Sequence, residues 1–455
     1  DPADYIGTQI VEDLRKQVTK DWPYRQLENS SYAESRNPKV PCMLLELLSH
    51  QNYADMYYGL DPKFQFIVSR GLYKGILRFL HEQDGSEFIV QPLPPQAFYI
   101  ERKGDSIRLG WQERVDTLET TAHPTYYVVY SRQEGEDWDN GIRVDANHLT
   151  LAIEKGKMYD FRVCAGNDGG ISLPGETLSA CLMRNNRPTI LIVNGFTRVD
   201  APKMEAWDSL TGGILPNSHA ISYKENIAYL GEQFDYNRHH AWRDDDDCGF
   251  GMCYSDHAQE VTQGNSFAYP GMHGKWLKEM GYSYVSRSAE SVSDLHSYPL
   301  VDLIMGKQMA DGGCIAAPLR QALTSYLNSG GKLLICGSYI GSDMRSREAA
   351  RFTENILHYK YHSTHASHNG RISMLYTVLP KRTYHLWTEP NEQVLECEAP
   401  DGIEPTQGAV RLGRYESSGI TAGIAYQHKI VALPFMLESV KEADILYKDC
   451  INYLK

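Results

Sequence analysis

Four short apolar runs in the second half of the chain, "TILIVNG" (189–195), "VDLIMG" (301–306), "GGKLLICGS" (330–338) and "HKIVALPF" (428–435), are separated by segments with helical spacing such as "PLRQALTSYLNS" and "VKEADILYKDCINYL". Apolar runs without alternation suit strands buried on both faces, and buried strands joined by helices build a doubly wound parallel sheet. No GxGxxG or Walker sequence follows any of these runs, which argues against a nucleotide site.

The rest of the chain reads differently. Residues 5–18, "YIGTQIVEDLRKQV", and 64–80, "FQFIVSRGLYKGILRFL", have the apolar spacing of amphipathic helices, and "VPCMLLELL" (40–48) between them reads as a strand. Pro92, Pro94 and Pro95 mark a linker. From about residue 91 to 181, short alternating strands take over: "IRLGW", "TYYVVYSR" and "HLTLAIEKGKMYDFRVCAGNDGG". The expected fold is therefore multidomain. A partial α/β unit spans 1–82, a linker and all-β sandwich 83–184, and an α/β doubly wound sheet 185–455.

With 455 residues and a net charge of -13, the chain lacks the clustered basic face that nucleic acid requires. No apolar run is long enough to span a membrane. The chain opens on "DPADYIG", without Met or a leader, which reads as a mature product or an excised piece. Nine cysteines form no C-x-x-C pair, so redox compartment stays open.

Glu46 interrupts "MLLELL". A carboxylate inside an apolar strand needs a partner or a cleft. Alternation alone would turn it to a solvated face; the other reading is a general base at a strand end.

Three further clusters hold chemistry-bearing residues. His239 and His240 beside Asp244–Asp247 could hold a cation or form a solvated loop. His358, His362, His365 and His368 run along "HYKYHSTHASH", the first two sharing a face if the segment is helical. "GNSFAYPGMHGKW" (264–276), with His273, combines Gly, Pro and aromatics as a glycan-facing loop would, or packs on its own domain.

Several segments resemble known families. "VPCMLLELLSHQN" followed by "FQFIVSRGLYKGILRFL" resembles the C-terminal half of zinc-dependent N-acetylmuramoyl-L-alanine amidases, with Glu46 and Asn52 at the glutamate and asparagine positions and His50 and Gln51 departing from the pattern. The resemblance implies Glu46 as catalytic carboxylate toward a zinc-bound water at the muramoyl–L-alanine amide. A hydrolytic zinc needs about three protein ligands, and no histidine lies between Asp1 and Glu46. Zinc is therefore expected only in a completed amidase domain, not from this chain alone. A second polypeptide or upstream segment would complete residues 1–82.

The segment with Trp111 and Tyr159 resembles a fibronectin type III domain, the two residues standing for its buried tryptophan and its tyrosine corner. Residues 187–455 resemble the class I glutamine-amidotransferase-like fold, a flavodoxin-type sheet. Cys336 falls near that family's nucleophile elbow, Leu334 stands where a small residue usually permits the turn, and Phe435 and Glu438 match a late F-H-P-E. Met436 replaces the histidine. A thioether cannot take a thiol proton, so a scaffold or binding role is expected there. The domain order resembles that of secreted bacterial proteins labelled xanthan lyase, although no lyase motif is present. Together these resemblances imply a cell-envelope or secreted hydrolase of the peptidoglycan amidase lineage that is inactive alone. The alternative is a non-enzymatic glycan-binding or adhesion scaffold. Peptidoglycan or another glycan is the expected partner.

Overall fold

A computed structural model gives the structure of the protein and describes residues 1–200 and 267–455, except 26, 50–54, 56, 57, 60, 293, 294, 311, 376, 377, 389, 390 and 392; between 201 and 266 it describes only four short strands. The molecule is mixed α/β, with one large sheet and several helices.

The two amphipathic segments form helices as their spacing predicts. Helix α1 (Pro2–Gln17) is capped by the Asp1 carboxylate, which accepts from the Ala3 amide, and α2 (Pro62–Asp84) by Asp61 in the same way; each has Pro in its first turn. Ile6, Ile10 and Leu14 of α1 meet Phe64, Ile67 and Val68 of α2 in a small separate core. The Lys74 ammonium and Asp13 carboxylate pair inside it at 2.8 Å.

Strand β1 (Gln96–Lys103) pairs with β2 (Ser106–Gln112), and β2 with β5 (His148–Ala152). Strand β3 (Tyr126–Gln133) pairs with β4 (Ile142–Val144) and with β6 (Met158–Asn167). In turn β6 pairs with β7 (Gly170–Ile171) and β8 (Leu178–Cys181). All these pairings are antiparallel, and Trp111 is buried between Phe98 and Tyr127.

The four predicted apolar runs are strands: β9 (Ile190–Asn194), β11 (Leu300–Gly306), β12 (Lys332–Gly337) and β13 (Ile430–Leu433). A fifth, β10 (Tyr284–Ser288), joins them. Their pairings are parallel and run β10-β9-β11-β12-β13 across the sheet. In chain order this is 2-1-3-4-5. β10 also pairs antiparallel with β8 and β1, so the antiparallel and parallel strands share one sheet of 15 strands among the described residues.

Period-two alternation divides the parallel strands between two cores. Val301, Leu303, Met305, Leu333 and Ile335 face α4 (Ala317–Asn328), and their core runs on to Trp111 and Phe161 of the antiparallel strands; α5 (Arg347–Asn355) follows β12. Leu300, Ile304, Leu334 and Cys336 face the other way, toward α3 (Tyr269–Glu279) and α6 (Ala443–Leu454).

Two sequence expectations are corrected. Residues 41–49 form no strand, and none of the described residues of 1–84 is in a strand that could pair with them; extended backbone without a neighbour has no ladder to join. His358 and His362 do not share a helix face, because Tyr359–Ser363 is a strand pairing with Gly402–Pro405. The preceding helix α5 ends at Asn355, and His358 then takes a φ of 61°.

Candidate functional site

Glu46 lies in a segment without regular secondary structure with its side chain 58% exposed, and it pairs with Arg25 at 3.5 Å, which is also held by Glu28 at 2.7 Å. A cation and a second carboxylate make no zinc site, and the described residues around Glu46 do not fit that metal. Asn52, with His50 and Gln51, lies outside the described residues, as do His239, His240 and Asp244–Asp247.

Cys336 is inside β12, in register with Ile304 and Leu433, and fully buried. It does not stand at a strand-to-helix elbow: no residue from 332 to 345 has a positive φ, so the strained turn that exposes a nucleophile is absent. Burial pushes its thiol well above the ordinary value, and Glu438 and Asp302 push it the same way.

The structure nevertheless brings a histidine to Cys336. It comes from α3, not from the Phe435–Glu438 segment. Pro270 starts this helix, and Gly274 lets it close on the sheet, since a Cβ there would sit 2.2 Å from the Tyr284 ring. His273 is thereby aimed into the sheet, sandwiched near Trp276 and Tyr447 at ring separations of 5.1 and 5.0 Å. Its Nδ1 donates to Asp302 Oδ2 at 2.8 Å, and the Tyr447 hydroxyl donates to the same oxygen at 2.6 Å. On the far side, Nε2 lies 3.2 Å from Glu438 Oε1, off the angle a hydrogen bond needs, and Cys336 Sγ is 3.9 Å from that oxygen.

His273, Asp302, Cys336 and Glu438 are all excluded from solvent. Desolvation alone would lower the imidazole's affinity for a proton, but the Asp302 and Glu438 carboxylates outweigh it and raise its pKa to about 10. A histidine so held is a poor base for a thiol, and no substrate reaches either group through the described residues.

Sequence reasoning noted His273 only as part of a loop and passed over Asp302. The signal was there. In "LVDLIMG" a carboxylate sits between apolar neighbours, as Glu46 does in "LLELL", and here the strand is real and the carboxylate has found its partners.

At the carboxyl ends of the parallel strands, where this sheet type usually offers a crevice, the chain fills the space itself. Lys307, just past β11, donates to Glu396 Oε1 at 2.7 Å and to Glu398 Oε2 at 2.6 Å. Ser338 and Cys397 meet at 3.2 Å, and Asp401 Oδ2 accepts from the Gly341 and Ser342 amides at 3.0 and 2.7 Å. Segment 395–401 is thus laid across the strand ends. Burial raises the pKa of Asp401 to about 8 and that of Glu398 to about 7.

Among the described residues, the other histidines join no group of three ligand-capable side chains. The His358 ring stacks on Tyr426 at 3.6 Å, and His362 meets the Ser363 hydroxyl at 3.1 Å. These contacts describe a loop and a strand edge rather than a ligand set.

No family model matches this chain, and no curated protein matches it. Among solved structures, the twitchin kinase region from C. elegans shows 26% identity over 21% of this chain and 18% of that one, with a TM-score of 0.19. Titin domains A168–A170 show 27% identity over 19% of this chain and 30% of that one, with a TM-score of 0.18. A structure described as a myokine shows 17% identity over 21% of this chain and all of that one, also at 0.18. This chain thus spans under a third of the twitchin and titin structures. At these TM-scores the likenesses carry no argument about its fold or function.

Proposed function

We propose that this chain belongs to a cell-envelope or secreted protein of the peptidoglycan amidase lineage, inactive alone, in which residues 1–82 form part of a hydrolase unit and the remainder is a scaffold. One observation carries this reading. In the segment with strand composition, Val40 is 70% exposed, Leu44 47% and Leu45 40%, while Met43, Leu47 and Leu48 lie against the α1–α2 core. Exposed apolar side chains on a segment anchored to a core mark a surface that a further chain segment would cover, although Leu44–Leu45 out and Leu47–Leu48 in is not strand alternation. A further polypeptide segment that pairs with it would cover those leucines and would have to bring the zinc ligands that the surroundings of Glu46 lack. Within such an assembly Glu46 is the proton-accepting carboxylate; in this chain alone no hydrolytic step is assigned to it.

The scaffold reading of the rest draws support from its geometry. Strand pairings β1-β2-β5 and β4-β3-β6-β8 around buried Trp111 suit a fibronectin type III sandwich, and the 2-1-3-4-5 order suits a flavodoxin-type sheet. Cys336 is enclosed and the crevice is filled by segment 395–401, so neither offers a reachable catalytic group.

The competing reading is a non-enzymatic glycan-binding scaffold in which Glu46 has no role. Amide release from purified peptidoglycan separates them. The assembly completed by the zinc-bearing segment should release L-alanine-linked peptide and lose this in Glu46→Gln, with stability changed by less than about 0.5 kcal/mol because the side chain is exposed. Release undiminished by Glu46→Gln would refute the role given to that residue.

A further inference from the structure

The His273, Cys336 and Glu438 side chains converge from three separate parts of the chain: a helix, a strand interior and the turn Leu437–Ser439. One ligand-capable atom of each lies within 4.8 Å of the others. Tetrahedral zinc with N, S and O donors places its ligand atoms about 3.4–3.6 Å apart. The observed 3.2 Å between His273 Nε2 and Glu438 Oε1, and 3.9 Å between Cys336 Sγ and that oxygen, straddle this spacing.

Two further features point to a ligand. First, the imidazole is oriented as metal-bound histidines are: Asp302 holds Nδ1, itself fixed by Tyr447, which turns Nε2 toward the cluster, 3.2 Å from Glu438 Oε1. Second, Nε2 and Glu438 Oε2 are both buried without a hydrogen-bond partner. Glu438 Oε2 is a buried acceptor of the kind rarely left unpaired in native interiors, while Nε2 has only the poorly angled 3.2 Å contact with Glu438 Oε1. The second carboxylate oxygen could complete a fourth position by bidentate binding.

We propose that His273 Nε2, Cys336 Sγ and the Glu438 carboxylate form a structural site for a divalent transition metal of the zinc class, with Asp302 and Tyr447 as its outer support. Mixed nitrogen, sulfur and oxygen donors favour zinc over calcium or magnesium. On binding, the Cys336 thiol and His273 Nε2 each give a proton to solvent, Nδ1 keeps its proton on Asp302, and the thiolate sulfur and Nε2 bond the ion with no change of oxidation state. The ion ties α3 and the 437–439 turn to β12. Because the cluster is fully enclosed, it loads while the chain folds and leaves only when the chain opens.

The test is to unfold the whole chain in chelator and refold it with cobalt(II) or with chelator alone. Refolding with cobalt should give one ion per chain after dialysis, a thiolate-to-cobalt charge-transfer band and the visible bands of tetrahedral cobalt. Cys336→Ser should abolish the charge-transfer band. Glu46→Gln and Cys42→Ser should both leave it intact, which distinguishes this site from any metal near Glu46, where the exposed Cys42 is the thiol in the same segment. Should Cys336→Ser fail to fold, the wild type still decides: cobalt-refolded protein should melt higher than chelator-refolded protein. Absence of a thiolate band with equal melting temperatures, or a band that persists in Cys336→Ser, would overturn the proposal and leave a metal-free histidine held between two carboxylates.

Discussion

Two carboxylates with similar sequence surroundings end in opposite situations. Glu46 is exposed beside Arg25, whereas Asp302 is enclosed between His273 and Tyr447. The rule that a carboxylate among apolar neighbours must be paired was sound, and it was legible for both; what the sequence could not supply was which run had strands on either side of it. Asp401 offers a test at the same scale. Burial lifts its pKa to about 8, against two backbone amides that pull it down, while in the unfolded chain it titrates near 4. Between those values the folded state keeps a proton that the unfolded state has released, so its contribution is fully present below about pH 4 and is lost as pH rises to about 8. Glu176 and Glu398, both raised to about 7, act in the same direction. Thermal melting should fall from pH 5 to pH 8 in the wild type, and less steeply in Asp401→Asn, whose amide oxygen can still accept from Gly341 and Ser342. Parallel slopes in the two proteins would contradict this assignment.

Among elements, the parallel strands and the two N-terminal helices were readable because their signals are local: uninterrupted apolar runs in one case, caps and 3.6-residue spacing in the other. The 40–48 segment was not, because a strand is defined by its neighbour and the sequence cannot say whether one is present. The His358–His368 run failed for a related reason, since helical spacing of two histidines is equally compatible with a strand that pairs elsewhere, here with Gly402–Pro405. His273 was misread as part of a loop because Pro270 and two glycines suggested a turn, whereas Pro270 occupies the first turn of α3, and Gly274 is the point of close approach to Tyr284. The α1–α2 pair gives a prediction at this scale. A Cβ at Gly75 would lie 2.5 Å from Ile6 Cα, which is backbone and cannot swing aside. Gly75→Ala should therefore push the helices apart and cost about 1–3 kcal/mol, read as faster hydrogen exchange over 2–17 and 62–84. Unchanged exchange there would show that the close helix contact does not hold in solution.

For the whole molecule, β10 is the hinge of the argument. It pairs with β9 in the parallel sheet and with β8 and β1 of the sandwich. Ser286 Oγ accepts from the Ser179 amide and donates to its carbonyl, both at 2.7 Å, and Tyr284 meets Ser179 Oγ at 2.9 Å, all buried. With one hydrophobic core running from Trp111 to Leu333, residues 96–455 should unfold in a single transition, followed alike by Trp111 and by Trp276 fluorescence in single-tryptophan variants. Separate transitions would mean the sandwich is an independent module. Among the described residues of 96–455, Cys336 is enclosed and segment 395–401 covers the strand ends, and catalysis is accordingly proposed for residues 1–82 with a further segment. The most direct check is muramoyl–L-alanine amide cleavage by the purified 455-residue chain on its own, with zinc supplied. The account predicts no release above the buffer blank; zinc-dependent release by the chain alone, lost in Glu46→Gln, would contradict it.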